Sequence, residues 1–324
     1  MSSATFTRSR RAVACFQALA VGDAIGKQTE TLAFPDVRKW YPEGVRGFEG
    51  VPGDVIPRYR GKRYEWKIGE TTDDTEQTLA VARAASAEQR FTHAAVGREL
   101  LKCTKSLHPG VAMWAFVQGG DPARVALDGD GCGAAMRAAP VGVRHRPSRM
   151  DRIVGDAYQC SISTHGGQSA ICAAAAVAAA VSASLEACSP EEVLSAACKA
   201  ATMAEALRPQ TRPCTIAASL AAMHADLTTH RPLSLEYLAA HYFPMTPETI
   251  VPLAIGLALI TESAETTALI AANLGGDADS VASIGGAVAG ALRPETVNPE
   301  WFEIVAAING DDLATAALRH AAVS

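Results

Sequence analysis

The chain has 324 residues, of which 48% are hydrophobic, and this length and composition are sufficient for a substantial hydrophobic core. Its formal net charge of -5 and its isoelectric point near 5.9 exclude the protein classes that bind nucleic acid or anionic membranes through broad basic surfaces, because those surfaces need concentrated lysine and arginine. We therefore expect no nucleic-acid partner and no membrane partner.

Helical patterns run along most of the chain. Alanine-rich segments with apolar residues at three- and four-residue spacing predict helices at 8–25, 75–90, 93–106, 149–162, 167–186, 190–206, 211–225, 247–262, 264–273, 278–291 and 299–308. Pro190 and Pro247 each fall at a predicted helix start, where proline is favoured. No stretch alternates as a strand, and no composition break divides the chain. The sequence therefore predicts an all-α fold with one domain over residues 1–324.

Two apolar segments resemble targeting or membrane sequences. Paired arginines precede an apolar run near the N-terminus, as in a twin-arginine export signal, but that run contains Gln17 and leads into "GDAIG" at 22–26. Residues 169–184 lack charges but are mostly alanine and serine, which favours a buried helix over a membrane span. The eight cysteines have no zinc-like spacing, which is typical of buried thiols in a reducing compartment. We expect a cytoplasmic protein.

One irregular segment, at 41–70, is too long for a plain connection between helices. Its glycine, proline, aromatic and basic residues fit either a mobile flap beside a site or a packed structural loop. Both interpretations are open.

Acidic and hydroxyl side chains cluster at two predicted helix starts, "TTDDT" at 71–75 and "GGDADS" at 275–280. Helix capping accounts for one carboxylate at each start. If the two starts face each other, four carboxylates repel one another by an energy on the order of several kcal/mol unless cations neutralise them. Ligands that are all oxygen favour two Mg²⁺ or Mn²⁺ ions over zinc.

Other metal and phosphate motifs fail on their spacing. An EF-hand loop that began at Asp128 or Asp277 would end on Ala139 or Val288, where glutamate is required. The glycines between 129 and 133 follow no strand and do not form a dinucleotide-binding fingerprint, and the chain has no Walker A sequence.

The polar clusters lie within segments that together resemble the ADP-ribosylglycohydrolase family, which contains dinitrogenase-reductase-activating glycohydrolase and the ADP-ribosylhydrolases. These segments are "GDAIGKQTE" (22–30), "TDD" (72–74), "DGDGCGAAMR" (128–137), "STHGG" (163–167) and "GGDADSVASIGGAVAGA" (275–291). They occur in the family's order and extend over most of the chain. The resemblance implies a compact all-α fold with a cleft that holds two Mg²⁺ or Mn²⁺ ions.

The resemblance also implies roles for the residues at matching positions. The implied metal ligands are Thr72, Asp73, Asp74, Asp277, Asp279 and Ser280. The implied contacts to ADP-ribose are Gly129, Asp130, Gly131, Cys132, Gly133, His165 and Gly276. Glu30 matches an acidic residue near the family's reacting centre, and either Glu30 or Asp277 is expected to be the base that orients the attacking water.

The implied activity is hydrolysis of an N- or O-glycosidic bond at the anomeric carbon of ribose, which would remove ADP-ribose from a modified protein side chain. Cys132 departs from the family pattern, which usually has asparagine there, and a thiol forms weaker hydrogen bonds. This departure keeps open an N-ribosyl hydrolase that acts on a small nucleoside-like metabolite. A non-catalytic ADP-ribose-binding or structural relative is a further alternative. The expected partner is an ADP-ribosylated protein or an ADP-ribose-like small molecule.

Overall fold

The structure is a computed structural model that describes residues 6–48, 58–59, 62–63, 67–87, 91–105, 111–208 and 213–310. Within these residues the fold is almost entirely helical. The helices are α1 (Arg8–Gly26), α2 (Phe34–Trp40), α3 (Asp73–Ala87), α4 (His93–Leu100), α5 (Val111–Gly119), α6 (Gly133–Met136), α7 (Ala139–Arg144), α8 (Met150–Ser161), α9 (Gln168–Leu185), α10 (Pro190–Glu205), α11 (Ile216–Thr229), α12 (Leu235–Tyr242), α13 (Pro247–Ile260), α14 (Ala264–Ala272), α15 (Ala278–Leu292) and α16 (Pro299–Asn309). Strands β1 (Arg58–Tyr59) and β2 (Lys62–Arg63) form one short antiparallel pair.

The predicted all-α class is confirmed, and every predicted helix is present. The predicted bounds differ most in two helices. Helix α11 covers Ile216–Thr229 and not 211–225, and α4 ends at Leu100, after which the backbone N–H groups of Thr104 and Lys105 donate to Glu76. Helices α2, α5, α6, α7 and α12 were not predicted, since each has nine residues or fewer and too few turns to show a period. The single domain over 1–324 stays a prediction.

The irregular segment at 41–70 is described only in part. Its residues 49–57, 60–61 and 64–66 lie outside the described residues, so the flap stays a prediction. The part before them is packed, because Val45 pairs with Asn273 through two hydrogen bonds of 2.8 and 3.0 Å. The strand pair β1–β2 also falls within this segment and was not predicted, since each strand has two residues and shows no alternation.

Local sequence sets the helix starts. At α10, Ser189 Oγ accepts the backbone N–H of Glu192 at 3.3 Å, and the Glu192 carboxylate accepts the backbone N–H of Ser189 at 2.7 Å. Pro190 occupies the first turn, where a missing N–H costs nothing. Pro247 begins α13 in the same way, as the sequence predicted.

Helix α9 lies in the middle of the core. Of its 18 residues, only Ser169 is not buried. It is the one helix in the described ranges that is long and apolar enough to cross a membrane, but 94% of it is buried inside the protein. The prediction of a buried helix is confirmed. Its alanines leave room for α6, α7, α8, α10, α13 and α15 to pack around it.

Helices α1 and α15 cross at backbone contact distance. A Cβ atom on Gly22 would lie 2.1 Å from the carbonyl oxygen of Ala282, and one on Gly26 would lie 2.4 Å from that of Ala278. Gly286 of α15 approaches Ala18 of α1 in the same way. The pairs 18/286, 22/282 and 26/278 fix an antiparallel register with a four-residue step. This register places the end of α1 against the start of α15.

Replacing Gly22 with alanine is expected to destabilise the protein by about 1–3 kcal/mol, because the new methyl group forces the two helices apart. Gly155 in α8 provides the matched control, since a Cβ there meets nothing within 4 Å. Gly155→Ala is expected to stabilise the protein by about 0.5–1 kcal/mol through helix propensity. Urea unfolding of both variants measures the difference, and equal stability of the two would contradict the α1–α15 register.

Candidate functional site

The end of α1 and the starts of α3 and α15 meet at one place. Asp23 of α1 joins α1 to the start of α3. Asp23 is fully buried, and both of its carboxylate oxygens lie 3.0 Å from the backbone nitrogen of Thr72. It also accepts the backbone N–H of Thr75 at 3.0 Å and the Thr75 hydroxyl at 2.5 Å. Asp23 therefore caps α3 from outside the helix.

Asp74 joins α3 to α15. The hydroxyl of Ser283 donates to one Asp74 oxygen at 2.6 Å, and the hydroxyl of Ser280 lies 3.5 Å from the other. The structure thus brings the "TDD" and "DADS" segments together, although about 200 residues separate them. Because Asp23 and Thr72 already cap α3, capping does not account for Asp73 and Asp74.

Glu30 is tied to the start of α15 through the backbone. Thr31 donates to the carbonyl of Gly276 at 2.8 Å, and Gly276 donates to the carbonyl of Leu32 at 2.8 Å. Thr31 has a φ of 66°, which is unusual for a β-branched residue and requires support from its surroundings. Gly276 therefore holds Glu30 beside Asp277.

Carboxylates crowd this junction, which we call the acid cluster: Asp23, Glu30, Asp73, Asp74, Asp277 and Asp279. Burial raises the pKa of Asp74 well above its usual range, and repulsion from Asp23 and Asp73 raises it further. Burial and repulsion from Glu30 and Asp74 do the same to the pKa of Asp279. The pKa of Asp277 is raised by the same two causes. The protein without cations therefore disfavours full ionisation of the cluster.

One oxygen in the acid cluster has no partner. Asp279 is 3% exposed, and its Oδ1 atom is buried without a hydrogen bond. An oxygen of this kind is costly unless a cation or another donor reaches it. In the described ranges, no three histidine, cysteine, aspartate or glutamate side chains already converge on one point as metal ligands. Asp74 and Asp73 instead hydrogen-bond to Ser283 and Gln77.

The acid cluster predicts a pH dependence of stability in the metal-free protein. Burial and Glu30 raise the pKa of Asp73 to about 7. A folded-state pKa above the unfolded value adds stability at low pH, and this stability is lost as pH rises through the folded value. The melting temperature in EDTA is therefore expected to fall by several degrees between about pH 5 and 7, and the still higher pKa values of Asp74 and Asp279 extend the loss above pH 7. Asp73→Asn should flatten this profile, and a wild-type profile that rises would refute the assignment.

His165 lies against the glycine-rich loop at 129–133. A Cβ on Gly133 would lie 2.5 Å from the imidazole ring, and one on Gly131 would lie 3.3 Å from Nε2. Burial, with a smaller contribution from Arg137, lowers the pKa of His165 to about 3, so the ring is neutral. Its Nδ1 atom lies 2.7 Å from the Thr164 hydroxyl, which already accepts a hydrogen bond from Arg137 at 2.7 Å. The Thr164 hydroxyl therefore holds Nδ1, and the other ring nitrogen, Nε2, lies on the side of Gly131.

The other predicted contacts in this loop have structural partners. Asp130 accepts the backbone N–H of Ser169 at 3.1 Å, so it caps α9. Gly129 has a φ of 94° and its carbonyl accepts the backbone N–H of Gly167 at 3.3 Å. The thiol of Cys132 is buried and faces the acid cluster. Burial and the nearby Asp277 raise its pKa well above the usual range, so it is a neutral thiol.

Sequence reasoning missed Arg137, although this arginine is the last residue of the "DGDGCGAAMR" segment at 128–137. Arg137 is fully buried, and its guanidinium donates to Gln77 Oε1 at 2.6 Å. Gln77 in turn donates to Asp73 at 3.1 Å. Because Arg137 also donates to Thr164, it connects the acid cluster to His165. Asp23 and Lys27 were missed as well, although both lie within the quoted "GDAIGKQTE" segment, where a charged residue among small apolar ones was the available signal.

The chain is similar to known proteins over almost its full length. The sequence model of the ADP-ribosylglycohydrolase family matches residues 4–323. An uncharacterized protein of Archaeoglobus fulgidus is 29% identical over 297 residues, which is 89% of each chain. The uncharacterized protein YegU of Escherichia coli is 27% identical over 308 residues, which is 88% of each chain. A solved structure described as an ADP-ribosylglycohydrolase-related protein complex has the same fold, with a TM-score of 0.73 at 23% identity over 98% of this chain and 99% of that one.

Proposed function

The chain belongs to the ADP-ribosylglycohydrolase family, and from this premise we propose that it is a metal-dependent glycoside hydrolase that removes ADP-ribose from a modified protein side chain. Membership in the family supports glycoside hydrolysis as the general activity. The metal dependence and the ADP-ribosylated protein substrate are parts of the proposal.

The buried, unpartnered Oδ1 atom of Asp279 carries the proposal. It lies in a cluster of carboxylates that repel one another, and cations are the groups that relieve both conditions at once. The residues that would hold two Mg²⁺ or Mn²⁺ ions are Thr72, Asp73, Asp74, Asp277, Asp279 and Ser280, whose ligand atoms are all oxygen. When bound, the ions would neutralise the carboxylates and hold ribose hydroxyls.

We assign the role of base to Glu30. It is half-buried, with 15% of its side chain exposed, and it forms an ion pair with Lys27. The turn at Thr31 and Gly276 fixes its position beside Asp277. Glu30 would orient the water that attacks the anomeric carbon, and its negative charge would stabilise the positive charge that develops on the ribose ring.

The glycine-rich loop at 129–133 and His165 would contact the ADP-ribose. The neutral His165 ring would donate a hydrogen bond through Nε2, which suits a phosphate or ribose oxygen. Because the Cys132 thiol is neutral and buried, it would contact the substrate mainly through van der Waals packing and would form only weak hydrogen bonds.

Release of free ADP-ribose from ADP-ribosylated arginine or serine peptides, measured with Mg²⁺, Mn²⁺ and EDTA, tests the proposal. Release with a divalent cation and its absence in EDTA are expected. Glu30→Gln should lower the rate by about 10²–10⁴-fold, as for loss of a general base. Glu43→Gln is the matched control, because Glu43 is exposed and pairs with Arg46 at the surface. Metal-independent release would overturn the proposal.

The position of Cys132 favours one second candidate, an N-ribosyl hydrolase of a nucleoside-like metabolite. A buried thiol in place of an amide weakens hydrogen bonding to the substrate beside the acid cluster. Hydrolysis of nucleosides in the same assay, with no release from the modified peptides, would select this candidate.

A further inference from the structure

Lys27 places a positive charge inside the acid cluster. It is the residue that follows α1, and its ammonium group forms an ion pair with Glu30. Only 21% of its side chain is exposed. The contact of Gly26 with Ala278 sets Lys27 beside the first turn of α15, where Asp279 lies. This lysine therefore lies in the cleft and differs from the surface lysines of the protein.

The charge on Lys27 is maintained by its neighbours. Burial lowers the pKa of the ammonium group, but attraction to Glu30, Asp279 and Asp73 outweighs burial and raises it above the usual value. Lys27 is thus a permanent cation that shares carboxylates with any metal ion in the cleft. Asp74 is instead held by the hydroxyls of Ser283 and Ser280. The other lysine near the cluster, Lys105, donates to Thr71 and Asn309.

An ammonium group and a divalent cation compete for the same carboxylates. They repel each other over a short distance in a partly desolvated site. A Mg²⁺ ion also needs oxygen ligands at fixed octahedral positions, and a carboxylate already paired with lysine is a poorer ligand. The acid cluster therefore offers two unequal places for cations.

We propose that Lys27 is a built-in competitor of the second divalent cation, so that the protein binds one ion tightly on the Asp74 side and a second ion weakly on the Glu30 side. The inference rests on the proposed metal-dependent function and adds to it the control of metal occupancy. Lys27 acts here as a positioning residue, since it also holds Glu30.

Titration with Mn²⁺ alone tests the inference, with calorimetry for heat and electron paramagnetic resonance for free Mn²⁺. The wild-type protein should bind one equivalent at least about tenfold more tightly than the second. Lys27→Met should tighten the second equivalent by about tenfold or more, because one neighbouring positive charge is removed. Lys27→Arg keeps the charge and should retain the wild-type pattern. Lys27→Gln is measured in parallel, so that poor folding of one variant does not decide the result.

Lys102→Met is the matched control, because Lys102 is exposed and pairs with Glu99, which does not belong to the acid cluster. It should leave both Mn²⁺ affinities unchanged. Equal affinities for two ions in the wild type, or unchanged affinities in both Lys27→Met and Lys27→Gln, would overturn the role of Lys27 and leave the metal-dependent function standing. Absence of Mn²⁺ binding in the wild type and in every variant would overturn the metal-dependent function itself.

Discussion

Replacing Arg137 with methionine is expected to lower the free energy of unfolding by about 3–5 kcal/mol, as for a buried charged network that loses one member. The guanidinium donates to Gln77, to the carbonyls of Cys160 and Ser161, and to Thr164. The Ser161 carbonyl keeps the backbone N–H groups of Thr164 and His165 when Arg137 is removed, but the Cys160 carbonyl loses both guanidinium donors. A buried acceptor left unsatisfied costs roughly 1–3 kcal/mol. Urea or guanidinium unfolding monitored by circular dichroism measures the loss.

Two further variants separate the hydrogen-bond network from charge alone. Arg137→Lys keeps the positive charge but cannot reach Gln77, Cys160 and Thr164 together, so most of the loss should remain. Arg83→Met removes an arginine that is 45% exposed and pairs with Glu99, and it should cost about 1 kcal/mol or less. If Arg137→Met lost no more stability than Arg83→Met, the network would have no structural importance.

The Arg137 network has a functional consequence besides stability. Its two ends are Gln77, which holds Asp73, and Thr164, which hydrogen-bonds to His165. A change at Arg137 should therefore disturb the acid cluster and the ADP-ribose side of the cleft together. Such coupling is carried by contiguous hydrogen bonds between buried groups.

The long helices were predictable because their periodicity extends over several turns. Segments such as α9 and α15 bury whole faces of alanine, valine and glycine, and that pattern identifies a helix without knowledge of its neighbours. Short helices such as α6 and α12 have four and eight residues, so their contacts with the rest of the protein decide their conformation.

The candidate site was predictable as a set of residue types and not as a geometry. The "TDD" and "DADS" segments indicate carboxylates at helix starts, but the sequence contains no distance between them. The antiparallel register of α1 and α15 supplies that distance, and it depends on which small residues face each other. Asp130 illustrates the limit, since the same carboxylate fits a ligand contact in sequence and caps α9 in the structure.

Replacing Asp279 with asparagine is expected to have opposite effects on the metal-free and the metal-bound protein. Without metal, the amide removes one charge from the acid cluster and one unpartnered carboxylate oxygen, and this should stabilise the fold by about 1–2 kcal/mol at pH 8. With Mn²⁺, a neutral amide is a weaker ligand, and the affinity should fall by about 100-fold or more. If Asp279 had only a structural role, Asp279→Asn would destabilise the protein both without metal and with Mn²⁺.

Thermal unfolding with EDTA and with saturating Mn²⁺ measures both effects of Asp279→Asn in one experiment. At a free ion concentration near 100 times the dissociation constant, the wild type should gain about 2.7 kcal/mol, and the variant should gain almost nothing. Asp151→Asn is the control, because Asp151 is exposed at the start of α8 and should leave both values unchanged. Since the stabilisation in EDTA follows from charge repulsion and the loss with Mn²⁺ follows from ligation, only a cation site formed by the acid cluster accounts for both signs. A variant that is less stable in EDTA and still gains stability from Mn²⁺ would place the cation elsewhere.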